Sequence, residues 1–361
     1  MRTSRLLAAL AATAVAGALV AVPSAEAAAP KPKTLTRHLL APLSVAVDGD
    51  DVYVTQNFGG TLNKLRPGKS PKTIYKSKGG NEVGGVSVRK GHVVFTETAS
   101  DPETGEPSDS WVKEINAKGK VKTLAHMRAY ENANNPDSVI TYGISDLDED
   151  CAAQWPTDDF GPVSYPGHLD SHPYATYQTA KTVYVADAGM NAVVAITGKK
   201  IETVAVTPAT DVPITADLAT QVGLPDCTVG HTYHGESVPT DVELAPGGDL
   251  VVTTEGGGLG EQFPLGAVSS VDPASGVITQ LAGHLQTPTG VAVKPNGDLL
   301  VAELFAGQIS LIKKGSSDVS PYAVAPLPAA VEIAGGDVYA TVNVLPGDGQ
   351  APDGKVVRYK G

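Results

Sequence analysis

Residues 238–258 read VPTDVELAPGGDLVVTTEGGG, and residues 287–307 repeat the pattern as TPTGVAVKPNGDLLVAELFAG. Each copy places a Pro-Thr pair before alternating apolar residues, then a Pro-x-Gly-Asp-Leu turn, a second apolar run and a glutamate. Alternating apolar residues predict a half-buried β-strand, and Gly with Asp supplies the backbone conformations that a tight hairpin needs. The stretch therefore predicts a repeated pair of antiparallel strands that ends in an acid.

Further copies of this strand pair are recognised by their second strands. The second strands begin at residues 52, 93, 183, 251, 299 and 338 and read VYVTQ, VVFTE, VYVAD, VVTTE, LLVAE and VYATV. About 40 residues separate neighbouring copies where no insertion intervenes, which is the length of a four-stranded propeller blade. The repeat predicts an all-β fold, a six-bladed β-propeller that spans residues 30–361.

The spacing of the copies also predicts insertions and a closure. Two longer gaps place insertions at about residues 130–170 and 208–236. A seventh blade in the 90-residue gap between the second strands at residues 93 and 183 is the alternative, but that gap shows no alternating pair of apolar strands. The last copy supplies only a third strand, GKVVRYKG at residues 354–361. We expect residues 32–40, PKTLTRHLL, to supply its fourth strand, so that N- and C-terminal strands close the ring and remove its exposed edges.

The first 29 residues predict a signal peptide that is cleaved. Arg2 and Arg5 precede an apolar run over residues 6–22, and the small-residue pattern Ala25-Glu26-Ala27 follows. The alternative, a membrane anchor, needs about 20 uninterrupted apolar residues. We therefore expect a secreted, extracytoplasmic protein with no transmembrane segment in the mature chain.

The composition narrows the class of function. The chain has 361 residues, a formal net charge of −12 at pH 7 and 42% hydrophobic residues. An acidic surface repels a nucleic-acid backbone, so we predict no nucleic-acid partner. The apolar fraction is ample for a large core, and we predict a monomer.

Cys151 and Cys227 are the two cysteines of the chain, one in each insertion. Export implies an oxidising compartment, in which two cysteines form one bridge. We predict a Cys151–Cys227 disulfide, with two free buried thiols as the alternative. A cysteine-based zinc site is not expected, because no Cys-x-x-Cys spacing is present.

The strand pairing predicts where functional side chains gather. In a blade, the loop that enters the first strand and the loop that leaves the second strand lie on the same face of the propeller. Asp241 and Glu255 therefore lie near one mouth of the central channel. The second strands of other copies end in equivalent acids, which are Glu97, Asp187 and Glu303.

These five acids have two interpretations. A ring of carboxylates suits a hard cation, so the acids predict a Ca²⁺ or Mg²⁺ site. In the alternative, each acid accepts hydrogen bonds from backbone N–H groups of the next loop. Asp241 favours the first interpretation, because the next copy has Gly290 in its place and the repeat does not require an acid there.

The segment DSHPYA at residues 170–175 enters the third copy, so His172 and Tyr174 face the same mouth. His172 is a candidate general base, with a hydrogen-bonded loop histidine as the alternative. Together with Thr240, Asp241 and Glu255, Tyr174 is a candidate for ligand binding.

The third copy, VYVADAGMNAVVAI at residues 183–196, resembles an NHL-type blade. The mature chain resembles the ScyD/ScyE family of secreted propellers through YENANNPD (130–137), DSHPYA (170–175), VPTDVE (238–243) and FPLGAV (263–268). Its cyanobacterial members are associated with biosynthesis of scytonemin, an indole-derived pigment, and the better-studied one is described as divalent-cation-dependent. The resemblance implies a secreted propeller with a divalent cation. Residues 140–169 extend beyond the simple family pattern.

The sequence favours a binding protein whose ligand at the mouth is a small molecule, a glycan or a protein. The alternative is a metal-dependent enzyme, either a lactonase-like hydrolase or a carbon–carbon bond-forming enzyme like the pigment-pathway relatives. In that alternative a channel cation polarises a carbonyl and His172 or an acid moves a proton. A third possibility is an inert scaffold.

Overall fold

The computed structural model describes residues 31–67, 69–347 and 349–361, and strands dominate it. The predicted signal peptide lies outside the described residues. Within the described part of the chain, no helix is long and apolar enough to cross a bilayer.

The elements follow the repeat along the chain. The first strands are β1 (Lys33–Leu39), β2 (Val45–Asp48), β3 (Asp51–Gln56), β4 (Thr61–Leu65), β5 (Lys72–Lys76), β6 (Glu82–Arg89), β7 (His92–Ser100), β8 (Pro107–Ile115) and β9 (Val121–His126). The next elements are α1 (Met127–Asn134), β10 (Thr141–Gly143), α2 (Glu149–Ala152), α3 (Thr157–Phe160) and β11 (Ser164–Pro166).

The second half of the chain is organised in the same way. It contains β12 (Pro173–Gln178), β13 (Thr182–Asp187), β14 (Ala192–Thr197), β15 (Lys200–Val206), β16 (Thr210–Pro213), α4 (Ala216–Val222) and β17 (Thr232–Gly235). The last elements are β18 (Val238–Leu244), β19 (Leu250–Glu255), α5 (Gly257–Gly260), β20 (Gly266–Val271), β21 (Ile278–Leu285), β22 (Pro288–Val293), β23 (Leu299–Glu303), β24 (Gln308–Ile312), β25 (Val319–Val324), β26 (Val331–Ala334), β27 (Asp337–Val342) and β28 (Gly354–Tyr359).

The strands form seven four-stranded antiparallel sheets among the described residues, consistent with a propeller fold. Sheets 1 to 5 each contain four consecutive strands, which are β2–β5, β6–β9, β12–β15, β18–β21 and β22–β25. Sheet 6 has the order β1-β28-β27-β26, so that the strand Lys33–Leu39 pairs with the strand Gly354–Tyr359. The remaining sheet, called the insertion sheet below, has the order β11-β10-β17-β16.

The first strands of sheets 1 to 6 contact one another in succession, from β2 through β6, β12, β18, β22 and β26 back to β2. They line a central cavity of about 20 Å³. A cavity of this size holds about one water molecule, so a ligand larger than an ion must bind at the mouth rather than inside.

Close backbone approach between first strands explains one glycine of the repeat. A Cβ on Gly290 would stand 2.5 Å from the carbonyl oxygen of Ala329. Buried hydroxyls join other strands of the series, since Thr240 Oγ1 donates to the carbonyl of Pro288 at 2.6 Å. Between sheets, apolar side chains interlock: Val193 of sheet 3 packs with Val242 and Val252 of sheet 4.

The insertion sheet corrects the expectation that the gap between residues 93 and 183 holds no further pair of strands, because β10 pairs with β11 there. Its strands have three or four residues, too few to display a recognisable alternation of apolar side chains. It also has a small core of its own, formed by Ile144, Trp155, Ile214, Ala219 and Leu224. The predicted Cys151–Cys227 disulfide is confirmed, and it joins the two insertions.

Candidate functional site

The paired strands bring the predicted acids to one end of the sheets. Glu255 at the end of β19 pairs with the first residue of β18, and Asp187 pairs with the first residue of β12. Glu303 and Glu97 hold comparable positions in sheets 5 and 2. In the described residues, however, no three His, Cys, Asp or Glu side chains are grouped closely enough to hold a metal ion.

Glu97 and Glu303 accept hydrogen bonds near their own strands. The donors to Glu97 are Lys113 at 2.7 Å, Asn81 at 2.8 Å and Tyr75. The donors to Glu303 are the backbone N–H of Gln286 at 2.8 Å, Gln308 at 3.1 Å and Ser310. Glu303 thus accepts one backbone N–H, as the alternative interpretation expects, whereas the donors to Glu97 are all side chains. A metal site at these two residues stays a prediction.

Asp187 holds the segment that carries His172. Its Oδ1 accepts the backbone N–H of His172 at 2.8 Å, and its Oδ2 accepts the hydroxyl of Ser171 at 2.8 Å. Burial raises the pKa of Asp187 to about 6, although these hydrogen bonds oppose the rise. Asp187 is 0% exposed, so its observed role is to position His172.

His172 forms an ion pair that the sequence did not indicate. Its Nε2 lies 3.1 Å from Oε2 of Glu82, whose Oε1 accepts a hydrogen bond from Asn57 at 3.0 Å. Burial lowers the pKa of His172, but the negative charge of Glu82 outweighs it and raises the pKa to about 9. The imidazole is therefore protonated at neutral pH. This state suits a hydrogen-bond donor or general acid better than the predicted general base.

Tyr174 and Glu255 extend the site from His172. The rings of His172 and Tyr174 meet edge to face, with centroids 6.1 Å apart. Burial and the charges of Glu255, Glu82 and Asp241 raise the pKa of the Tyr174 phenol, which keeps its proton. Burial also raises the pKa of Glu255 to about 7, helped by Glu261. Within the described residues the Glu255 carboxylate accepts no hydrogen bond, so it is free for a ligand.

Asp241 lies at the junction of two first strands. Its Oδ1 accepts the N–H of Val242 at 2.8 Å and its Oδ2 accepts the N–H of Val291 at 2.7 Å. Burial raises its pKa to about 7 despite both hydrogen bonds. Asp241 thus joins β18 to β22. Thr240 is 4% exposed, and its hydroxyl donates a hydrogen bond to the carbonyl of Pro288. Two of the residues predicted to bind a ligand, Asp241 and Thr240, therefore make hydrogen bonds within the protein instead.

An apolar surface adjoins these polar side chains. Leu43, Leu304, Ala329 and Val344 form a buried cluster, against which Tyr174, Phe305, Leu327 and Leu345 pack. Because Tyr174 belongs to both groups, the mouth has a polar side and an apolar side. The sequence offered no signal for Phe305 or Leu345, since both lie in loops between repeats.

Two further acids of the first strands were also missed. Glu243 follows Asp241 by two residues and lines the central cavity together with Glu332 of sheet 6. Burial and the charges of Glu332 and Asp241 raise the pKa of Glu243 well above its usual value, and burial and the charge of Asp241 raise that of Glu332 to about 8. Their signal was the two-residue period of the strand, which places Asp241 and Glu243 on one face.

The insertions contain aromatic residues that would suit an exposed binding patch, among them Trp155, Tyr165 and Tyr233. Trp155 is instead 6% exposed, and its ring packs on Phe160 and Tyr233 in the core beneath the insertion sheet. Tyr165 donates its hydroxyl to Glu236 at 3.1 Å. Tyr174 is the one aromatic candidate that the described structure places beside His172.

No family model matches the chain, and no curated protein matches it either. Among solved structures, a putative oxidoreductase (glucose dehydrogenase) from Thermus thermophilus is similar with a TM-score of 0.55 and 15% identity, covering 91% of this chain and 99% of its own. The PQQ-bound aldose sugar dehydrogenase from Streptomyces coelicolor reaches a TM-score of 0.50 at 12% identity, covering 94% and 99%.

A chain of the nidogen/laminin complex is similar at a TM-score of 0.50 and 11% identity, covering 79% of this chain and 83% of its own. These neighbours are β-propeller proteins, and they include both enzymes and a binding protein. At such identities the likeness establishes the fold alone, so this chain has a β-propeller fold.

Proposed function

We propose that the chain is an exported, monomeric six-bladed propeller that binds a small molecule at the mouth formed by His172, Tyr174 and Glu255. The blade count is supported by the closed succession of six first strands and by the pairing of β1 with β28. Export is supported by the Cys151–Cys227 disulfide, which suits an oxidising compartment.

The binding proposal rests on Tyr174, whose ring meets that of His172 edge to face, whose phenol is affected by the charge of Glu255, and which packs against an apolar cluster. Binding sites commonly combine an apolar surface with a few convergent polar groups. Glu82 is paired with His172, and the carboxyl groups of Asp241 and Glu255 add hydrogen-bond acceptors to the mouth. The mouth therefore favours a ligand that has an apolar part and carries hydroxyl or amino donors.

A panel of hydroxylated and amino-bearing aromatic compounds tests this proposal by thermal shift. A compound that binds should raise the Tm of the unsubstituted protein, the parent. It should do the same for the control variant Glu149→Gln, which changes an exposed acid on α2. Tyr174→Ala and Glu255→Gln should lose the response. A hit that stabilises all four proteins equally would place the ligand elsewhere, and responses only to glycans or to a protein would change the ligand class.

A second candidate function is the metal-dependent enzyme, lactonase-like or carbon–carbon bond-forming. It is favoured by a proton donor and a proton acceptor on one mouth, since His172 is protonated and Glu255 has a pKa of about 7. A Ca²⁺ or Mg²⁺ ion held by Asp241 and Glu255 would polarise a substrate carbonyl. Turnover of lactones or indole-pyruvate-type substrates that disappears in Glu255→Gln would support it; no turnover with either metal would count against it.

We further infer membership of the ScyD/ScyE family. The inference rests on the segments that resemble the family, and two of them meet: Asp187 of the NHL-like blade accepts hydrogen bonds from Ser171 and His172 of DSHPYA. The insertion sheet distinguishes this chain from the simple family pattern.

A further inference from the structure

Buried oxygens without hydrogen-bond donors lie between α1 and the loop after β13. Glu131 and Asp137 are 0% exposed, and Asn191 is 1% exposed. Both carboxylate oxygens of Glu131, Oδ1 of Asp137 and Oδ1 of Asn191 are buried and have no partner among the described residues. Buried polar atoms are almost always paired, so four such oxygens in one region require a partner that is not a protein side chain.

Direct contacts join the side chains of Asn191 and Asp137 and the backbones of Asn135 and Glu131. Asn191 Nδ2 donates to Asp137 Oδ2 at 3.0 Å. Asn135, whose amide oxygen is also buried without a partner, donates its backbone N–H to the carbonyl of Glu131 at 2.8 Å. Gly167 packs so closely on this region that a Cβ there would stand 2.0 Å from Asp137 Oδ1.

Arg128, a basic residue of α1, pairs with Asp170, which lies 3.5 Å from its Nη1. Neither Glu131 nor Asp137 forms an ion pair with a described residue. Buried carboxylates are expected to be paired or to coordinate a metal.

We propose that Glu131, Asp137, Asn135 and Asn191 bind a divalent cation, with Ca²⁺ as the preferred ion. All the ligands are oxygens, two carboxylates and two amides, and Ca²⁺ takes such mixed sets with backbone carbonyls and water completing the shell.

The position of the site gives the ion a structural role. It joins α1 and residue 137 to the segment Asp187–Asn191 of sheet 3. The same segment holds the backbone of His172 through Asp187. The ion would thus hold the first insertion against the propeller and, through Asp187, help to position His172. This site is distinct from the channel cation predicted at Asp241 and Glu255.

Calorimetric titration of the EDTA-treated mature protein with CaCl₂ tests the site. The parent and the control Glu149→Gln should bind one ion. Glu131→Gln and Asp137→Asn should weaken binding about tenfold or more, because each removes one of two charged ligands. Asp241→Ala should bind like the parent. The proposal is overturned if the parent binds no Ca²⁺, or if Asp241→Ala loses binding while Glu131→Gln keeps it.

Thermal unfolding gives a second readout, which compares the parent with Glu131→Gln in EDTA and in Ca²⁺. In Ca²⁺ the parent should gain stability by mass action and the variant should not. A parent Tm that ignores Ca²⁺ would contradict the proposal.

Tyr142 offers a spectroscopic check, since its hydroxyl donates to Asp137 at 3.3 Å. Tb³⁺ bound in place of Ca²⁺ should give luminescence sensitised by this ring. Tyr142→Phe should still bind the ion, and Glu131→Gln should lose the signal. Luminescence that persists unchanged in Glu131→Gln would place the ion elsewhere.

Discussion

Buried carboxylates respond to their immediate neighbours, and residues of similar sequence context diverge for that reason. Glu82 and Glu332 both belong to first strands. The charge of His172 outweighs burial and lowers the pKa of Glu82, whereas burial and the charge of Asp241 raise that of Glu332 to about 8. The identity of the facing side chain, rather than the position in the repeat, decides which acid is ionised.

Glu332→Gln should stabilise the protein at pH 8 and have a smaller effect at pH 5. The folded pKa of Glu332 lies above its ordinary value of 4.5, so the folded state binds more protons between these values and stability falls as pH rises through that window. Tm measured from pH 5 to 8 should therefore fall less in the variant than in the parent. Identical slopes, with Glu149→Gln as the control, would contradict the assignment.

His172→Gln should remove a stabilising pair whose pH window is bounded on both sides. The folded pKa of His172, about 9, exceeds its ordinary 6.5, so its contribution is complete below pH 6.5 and is lost as pH rises through 9. The lowered pKa of Glu82 makes its contribution present above 4.5 and lost as pH falls. The Tm difference from the parent should peak between about pH 4.5 and 6.5; a difference that grows above pH 9 would refute the pair.

Among the elements, the insertion sheet has the weakest stabilising contacts of its own. Its strands β10 and β17 share a single paired position, Gly143 with His234, and its core is small. Short strands of this kind depend on the disulfide and on packing beneath them. We expect this sheet to open before the sheets of the propeller.

Cys151→Ser should lower the stability of the insertion sheet by about 2–4 kcal/mol, because the bridge spans 76 residues and its loss frees a long loop. A Trp111→Phe background leaves Trp155, packed in the insertion core, as the single tryptophan reporter. Its fluorescence should report an early transition in Cys151→Ser that the intact bridge suppresses. A single transition at the parent midpoint would show that the bridge contributes little.

At the scale of the whole molecule, the sequence predicted what repeats and missed what contacts across repeats. Pro-Thr, the Gly-Asp turn and the terminal acid located the paired strands. Glu82 escaped notice because β6 begins without Pro-Thr, and its partner His172 lies 90 residues away. The link between Asp137 and Asn191 spans 54 residues and depends on how the insertion packs, which no local pattern encodes.

Removal of residues 30–40 should destabilise the entire propeller rather than one sheet. These residues include β1, and without it β28 presents an unpaired edge. We expect a lower Tm for the whole unfolding transition and increased self-association by light scattering. A truncated protein that unfolds and remains monomeric like the parent would argue against closure by the terminal strands.

The most direct test of the central claim is capture of small molecules by the folded protein from concentrated culture medium, with identification by mass spectrometry. The account predicts that parent and Glu149→Gln enrich the same compound and that Tyr174→Ala and Glu255→Gln do not. Equal enrichment by all four proteins, or by none, would contradict a binding site at the His172–Tyr174–Glu255 mouth.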